Sequence, residues 1–171
     1  MKRFILPMIP NVLLPYASLG FMLLFLTKSG EWQTGFFGVL AAYFLIMLLA
    51  ALGALVFYAA GIAPQTNAKK LAFYVMLTKL FQIPAYVLLF VCGAISFITI
   101  FTAPLSVVFA FFSGMTIVFS GIMGIAPAKR LYDAGKINFN DLVFLIVLQF
   151  VYVVDVPVSV VIFLHAKKCA A

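Results

Sequence analysis

Charged residues are scarce in this sequence. They make up 9% of its 171 residues, whereas a soluble domain has about 25%. Hydrophobic residues account for 67%, against about 45–50% in an ordinary soluble protein. A soluble fold covers its surface with polar side chains, and this chain does not have enough of them. The composition therefore excludes a soluble globular domain and predicts an all-α, polytopic transmembrane helical bundle.

The sequence also lacks the residue patterns of catalytic and metal sites. His165 is the single histidine, so neither HExxH nor a histidine cluster is present. Cys92 and Cys169 form no CxxC pair, which excludes a redox pair or a zinc site of that kind. Asp133 and Asp155 suggest an aspartyl dyad, but Asp133 belongs to a polar segment and Asp155 lies deep in an apolar one. We expect no enzyme, no cofactor and no metal.

The net charge of +7 is explained by membrane topology. Lys and Arg are retained on the cytoplasmic side of membrane proteins, and this retention alone makes such a chain basic. Nucleic-acid binding would need a broad basic face with base-reading or stacking residues. The polar segments are too short to supply one, so we expect a lipid bilayer and no nucleic acid.

Five apolar stretches predict one transmembrane domain over residues 1–171, because a spanning helix needs about 20 apolar residues. The first stretch begins like a signal peptide, but Pro7, Pro10 and Pro15 interrupt it, so we expect an uncleaved span. The third stretch is long, which predicts tilt or a bend at Pro84. The five predicted spans are 4–26, 36–60, 71–98, 105–126 and 142–164.

The basic residues between these stretches indicate the orientation. With five spans, one face of the membrane has seven Lys and Arg residues and the other has three, Lys79 being inside a span. This bias predicts a cytoplasmic N-terminus. If the last stretch instead enters and returns at Asp155-Val156-Pro157, the ratio becomes nine to one. We prefer five spans, because a re-entrant hairpin needs protein to cover its bare backbone.

Asp155 is the residue that most suggests function. It lies roughly 20 Å along the fifth stretch, where a charge costs about 2.5–3.5 kcal/mol. It is either a proton- or cation-binding carboxylate beside the helix break at Pro157, or a structural acid that is neutral or paired.

Lys79, roughly 12 Å deep in the third stretch, is the candidate partner of Asp155. We rank snorkelling of Lys79 to the headgroups first and pairing second. A third interpretation places residues 68–83 flat on the membrane surface.

Gln82 and Gln149 are the remaining polar candidates inside the spans. With Asp155 and Lys79 they would form an ion or proton path, and interhelical hydrogen bonding explains the two amides about as well. Gln82 shares a helix face with Lys79. On a continuous helix, Gln149 and Asp155 would lie about 240° apart and face different ways.

The fourth stretch and the polar segment after it carry two further patterns. Thr116, Ser120, Gly124 and Ala128 recur every four residues, a spacing that favours close helix packing within the chain.

Lys129, Arg130 and Lys136 form a basic loop that would face anionic lipid headgroups or a partner, or is an ordinary cytoplasmic loop. Gly135 is placed to end the fourth helix, and Asn138 with Asp141 to begin the next.

Two segments resemble known sequences. KLFQIPAY, from Lys79 to Tyr86, and VVDV, from Val153 to Val156, resemble segments of small, uncharacterised multi-pass proteins of Firmicutes. The resemblance implies a bacterial inner-membrane protein and brings no activity. We expect a non-catalytic accessory, immunity or assembly module with a membrane-protein partner. The alternative is a homo-oligomeric transporter or channel.

Overall fold

The computed structural model describes residues 2–27, 32–63, 66–98 and 103–168. The described residues form six α-helices, which confirms the all-α prediction, and no cis peptide bond occurs among them. Four helices of the described chain are long and apolar enough to cross a membrane. The helices are α1 (Lys2–Thr27), α2 (Trp32–Ile62), α3 (Ala68–Ile98), α4 (Ala103–Asp133), α5 (Phe139–Leu148) and α6 (Asp155–Lys168).

Helices α1 and α2 approach each other closely at a glycine. A Cβ atom at Gly53 would overlap the carbonyl oxygen of Pro7, so only glycine fits that contact. Beside it, Asn11 Nδ2 donates a hydrogen bond of 3.0 Å to the carbonyl oxygen of Ala50. Ala50 is fully buried. Small residues therefore bring the two backbones together, and one buried amide fixes their register.

Helix α4 packs on the other helices through its row of small residues. Thr116, Ser120, Gly124 and Ala128 are all buried, so the predicted packing face is confirmed as an intramolecular one. Helix α4 contacts α2 and α3 along this bundle, and α3 runs continuously through Pro84. Buried positions from Leu71 onward exclude the interpretation of residues 68–83 as a surface helix.

The fifth apolar stretch differs from the predicted single span. Helix α5 ends at Leu148, residues 149–154 form turns, and α6 begins at Asp155. Val153 has a φ of 69°, a conformation that β-branched residues rarely adopt. Pro157 has no N–H, so a helix through this point would leave the carbonyl oxygen of Val153 without a donor. Pro157 therefore disfavours a continuous helix at this point, although α3 runs unbroken through Pro84.

Helices α5 and α6 form a hairpin with both ends at one end of the bundle. The ring centroids of Phe163, near the end of α6, and Phe73, near the start of α3, are 5.9 Å apart. At the apex, the Tyr152 hydroxyl donates a hydrogen bond of 3.0 Å to the carbonyl oxygen of Tyr86. Tyr86 is roughly 27 Å along α3 from Ala68. This arrangement is the re-entrant hairpin that the distribution of basic residues allowed as an alternative to a fifth span.

The connection between α4 and α5 has the turn chemistry that the sequence predicted. Gly135 has a φ of 67° and ends α4. Its N–H donates to the carbonyl oxygen of Tyr132, and the N–H of Lys136 donates to that of Leu131, which is a Schellman motif. The N–H of Asn138 then donates to Asp141 Oδ2 at 3.4 Å as α5 begins.

Candidate buried ion-pair site

Lys79 lies in the interior of the bundle and pairs with Asp155. Its Nζ is 3.2 Å from Asp155 Oδ2, and both side chains are 0% exposed. The same Nζ donates to Gln149 Oε1 and lies 3.4 Å from the carbonyl oxygen of Asp155. The pairing interpretation is therefore confirmed, and the preferred prediction, that Lys79 snorkels to the headgroups, is wrong. The ammonium group reaches across to the hairpin instead of along α3.

The helix break brings Gln149 and Asp155 to the same point. The prediction that they face different ways assumed a continuous helix, and it is wrong because the chain turns between them. Gln149 caps the C-terminus of α5 and Asp155 begins α6. A cation is favoured near a helix C-terminus and an anion at an N-terminus. The C-terminus of α5 therefore stabilises the Lys79 ammonium group, and the N-terminus of α6 stabilises the Asp155 carboxylate.

Two glycines of α4 make room for the hairpin apex. A Cβ atom at Gly124 would overlap the side-chain amide of Gln149. A Cβ atom at Gly121 would lie 2.8 Å from a ring carbon of Phe150. These two glycines thus permit the close approach that places Gln149 against Lys79.

Three buried polar atoms of the site have no hydrogen-bond partner among the described residues: Gln149 Nε2, Asp155 Oδ1 and Asp155 Oδ2. Oδ2 is 3.2 Å from Lys79 Nζ and makes the ion pair with it. An unmade bond to a buried polar group costs about 1–3 kcal/mol. The site therefore retains one donor and one acceptor beside the ion pair.

Gln82 belongs to a neighbouring contact and not to the ion pair. Its Nε2 donates a hydrogen bond of 2.8 Å to the carbonyl oxygen of Asn11, and its Oε1 accepts one of 3.3 Å from the Tyr86 hydroxyl. The first bond joins α1 to α3, and the second lies within α3. The structure thus brings together Lys79, Gln149 and Asp155, while the role of all four residues in an ion or proton path stays a prediction.

The pair is enclosed by apolar residues on one side and by two tyrosines on the other. The apolar cluster fills the bundle between the pair and the end where the hairpin enters, and its members are Ala72, Ala128, Leu131, Leu142, Val158, Ile162 and Ala166. On the opposite side, the rings of Tyr86 and Tyr152 are 5.7 Å apart. Sequence reasoning missed both tyrosines, because nothing in their spacing sets them apart from other aromatic residues in the spans.

A cleft of about 470 Å³ begins at Tyr152 and extends between the C-terminal half of α3 and the N-terminal half of α4. Its walls are apolar apart from Ser106, Ser113 and Tyr152 itself. Gly93, Ala94 and Gly114 contribute small surfaces to it. The hairpin occupies only one half of the groove between the two long helices, and this cleft is the other half.

Arg130 of the basic loop has a structural role. Its Nη2 donates hydrogen bonds of 2.8 Å and 3.2 Å to the carbonyl oxygens of Ala63 and Thr66. Arg130 therefore ties the connection between α2 and α3 to the end of α4. Lys129 is partly exposed and Lys136 is exposed. Their contact with anionic headgroups stays a prediction.

Residues 3–168 match the sequence profile of one protein family. The chain belongs to DUF6652, a family of unknown function. The comparisons with curated proteins and with solved structures gave no match. The DUF6652 match covers the four long helices and the hairpin together, so the ion-pair site lies wholly inside it. Family membership and the four candidate spans make this a multi-pass membrane protein of a family whose function is unknown.

Proposed function

We propose that this DUF6652 protein is a non-catalytic module of a bacterial inner-membrane complex, acting as an accessory, immunity or assembly partner. The observation that carries the proposal is the pairing of Lys79 with Asp155. The two deep charges neutralise each other at 0% exposure and join the hairpin to α3. An intramembrane charge that served a substrate would need access to it, and this pair is packed between helices.

The other buried polar side chains support the same interpretation. Asn11 and Gln82 donate to backbone carbonyl oxygens of neighbouring helices. Ser18 and Thr78 donate to carbonyl oxygens of their own helices. Polar groups used in this way act as interhelical or intrahelical links. The outward faces of the long helices are apolar, so they are suited to lipid and to other membrane proteins.

We also propose an orientation with the N-terminus in the cytoplasm. The hairpin returns the C-terminal end of α6 to the bundle end where α3 starts, so Lys167 and Lys168 join the basic face. The sequence then has nine basic residues on that face and one, Lys28, on the other. This bias is the one expected of a cytoplasmic face.

Photo-crosslinking in living cells of the source organism tests the module proposal. A photoreactive amino acid is placed at one outward position of each long helix and of the hairpin, and adducts are identified by mass spectrometry. We expect at least one position to give a reproducible adduct with a single other membrane protein. Buried Leu14 and Phe57, at 0% exposure, serve as control positions that should give none. The tested positions are Leu13, Leu48, Val87, Val107 and Phe144.

Adducts with lipid or with the chain itself at all five positions would contradict the proposal. A protein adduct of equal yield at every position would also contradict it, because a specific interface covers only one side of a bundle.

A homo-oligomeric transporter or channel is the second candidate, and one observation favours it. Gln149 Nε2 and Asp155 Oδ1 lack hydrogen-bond partners among the described residues, and a cleft ends at nearby Tyr152. These two atoms offer a donor and an acceptor of the kind that a hydrated ion or a proton path uses.

Proteoliposome flux separates the two candidates. A transporter predicts proton or cation flux by the wild-type protein and its loss in the double variant Lys79→Met/Asp155→Leu. That variant removes both charges together and so avoids an unpaired one. A non-catalytic module predicts no flux above protein-free liposomes for either protein, and wild-type flux that disappears in the variant would favour the transporter.

A further inference from the structure

The cleft beside Tyr152 lies between the halves of α3 and α4 that the hairpin does not reach. Along α4 it extends from Ser106 to Ile117, which is roughly 16 Å of helix. Its inner end is at Tyr152, whose hydroxyl donates to the carbonyl oxygen of Tyr86 in the middle third of α3. Its outer end is near Ala103, where α4 begins. The cleft therefore crosses one leaflet, whose hydrocarbon layer is about 15 Å thick.

Small residues open this cleft into a groove. A Cβ atom added at Gly114 would have no atom within 4 Å, so the space in front of it is open. Leu89 and Phe109 are buried and form the floor, whereas Phe90 and Phe97 are 64% and 74% exposed and form an edge. The small residues that line the groove come from both helices: Gly93, Ala94, Ala110 and Gly114.

Water is a poor occupant of this groove. A bound water needs two to four polar partners, and the described lining has three polar side chains, Ser106, Ser113 and Tyr152. The volume of about 470 Å³ would take about fifteen waters at roughly 30 Å³ each. Most of them would lie against apolar walls at the depth of the membrane hydrocarbon, so the groove favours an apolar occupant.

A spanning helix of another chain fits the groove poorly in width and in length. A helix with its side chains is about 10–12 Å wide, so 16 Å of it would fill on the order of 1,300–1,800 Å³, about three times the volume of the groove. A spanning helix is also about 30 Å long. The hairpin blocks the way beyond Tyr152, where Phe150 and Val153 are 39% and 66% exposed. The groove thus favours an occupant thinner than a helix and one leaflet long.

We propose that the groove is a lipid site, which holds one acyl chain of a phospholipid from the leaflet that the hairpin does not enter. Such a chain runs from the headgroups to the middle of the bilayer, which are the two ends of the groove. The volume and the apolar walls are those of small-molecule sites, which enclose about 300–1,000 Å³. A chain in the groove supplies its lining with dispersion contacts on the side that the hairpin leaves open. The proposal goes beyond the proposed function and does not depend on it.

Native mass spectrometry of the full chain tests the site. The protein is purified from its own membranes in mild detergent, and the molecules that stay bound after the micelle is removed are identified by mass. Gly114→Leu places a side chain in the groove without a clash at its Cβ. Ala94→Leu narrows the groove from α3, at an exposed position. Gly38→Leu is the matched control, because its Cβ is equally free of neighbours and α2 does not line the groove.

We expect the unchanged protein to retain one phospholipid per chain. Gly114→Leu and Ala94→Leu should each lower that occupancy several-fold, and Gly38→Leu should leave it unaltered. Melting temperatures in detergent identify the variants that fold, and Ala94→Leu, on an exposed residue, tests the groove even if Gly114→Leu does not fold.

Three results would overturn the proposal. The first is an unchanged protein that retains no phospholipid, whether it binds nothing, detergent or a free fatty acid. The second is equal phospholipid occupancy in the unchanged protein and in a folded Ala94→Leu or Gly114→Leu variant. The third is a second polypeptide, in place of the lipid, that either variant displaces.

Discussion

Lys79 and Asp155 are stable in the interior of the bundle only as a pair. Each would carry an uncompensated charge without the other, and removing one partner of a buried pair typically costs about 3–5 kcal/mol. Replacing both by apolar residues of similar volume is often neutral or stabilising. The pair therefore contributes more to fixing where the hairpin docks than to net stability.

The first prediction concerns this pair. Asp155→Asn should lower the melting temperature in detergent strongly, because it leaves the Lys79 ammonium group buried without its counter-charge. The double variant Lys79→Met/Asp155→Leu should recover most of that loss. Asp133→Asn, on an exposed residue, should change little and is the control. A double variant less stable than Asp155→Asn would contradict the structural role of the pair.

The second prediction concerns the glycine that faces Gln149. Gly124→Ala should destabilise the protein by about 1–3 kcal/mol, because its Cβ overlaps the Gln149 amide and forces the hairpin away. Gly114→Ala on the same helix is the matched control, since no atom lies within 4 Å of its added Cβ. That control should be neutral or slightly stabilising, because alanine favours helix over glycine. Equal melting temperatures for the two variants would show that the Gly124 contact is not tight.

At the scale of elements, the hairpin depends on how the helices around it end. Helix α4 must stop at Asp133 so that α5 can turn back against it, and Gly135 provides that stop in a left-handed conformation. Helices α5 and α6 then share one apolar cluster with the start of α3. A change in either helix end would therefore shift the apex relative to Lys79.

The third prediction tests the end of α4. Gly135→Ala should destabilise the protein by about 1–2 kcal/mol, since a Cβ in the left-handed region meets the following carbonyl oxygen. No neighbouring atom lies within 4 Å of that Cβ. The loss of stability therefore comes from the backbone conformation and not from a clash with neighbouring side chains. Gly20→Ala, within α1 and equally free of neighbours, should not destabilise. Chemical denaturation in mixed micelles measures both, and a Gly135→Ala protein as stable as the parent would contradict the left-handed cap.

At the scale of the whole molecule, the hairpin changes which side of the membrane the chain reaches last. A fifth span would place Lys168 opposite the α4–α5 connection, whereas the hairpin places both at the same end. The distribution of Lys and Arg agrees better with the hairpin. It places nine basic residues on one membrane face and one on the other, whereas five spans would give seven and three.

The fourth prediction is this topology. In a cysteine-free background, Ser29→Cys should react with a membrane-impermeant maleimide in intact spheroplasts. Lys136→Cys and Lys168→Cys should react only after the membrane is permeabilised. Labelling of Lys168→Cys in intact spheroplasts, with Lys136→Cys protected, would instead support a fifth span.

The sequence alone determined the class of this protein, because a chain with few charges and long apolar runs has no stable alternative to a helical bundle in lipid. It also determined the small-residue face of α4, the glycine end of that helix, and Lys79 and Asp155 as the residues to examine. Each of these follows from local composition or from spacing along one helix.

Only the tertiary structure decided the course of the last segment and the partners of Lys79. Whether 23 apolar residues cross the membrane or turn back depends on whether other helices cover the turn, and length and hydropathy do not report that cover. Gln149 joins the site only because the helix breaks, and the break is favourable only because Gly121 and Gly124 of α4 admit the apex. Contacts between α3, α4 and the hairpin, made by residues far apart in the sequence, thus set the geometry of the site. The sequence had identified Lys79, Gln149 and Asp155 as candidates but not their arrangement.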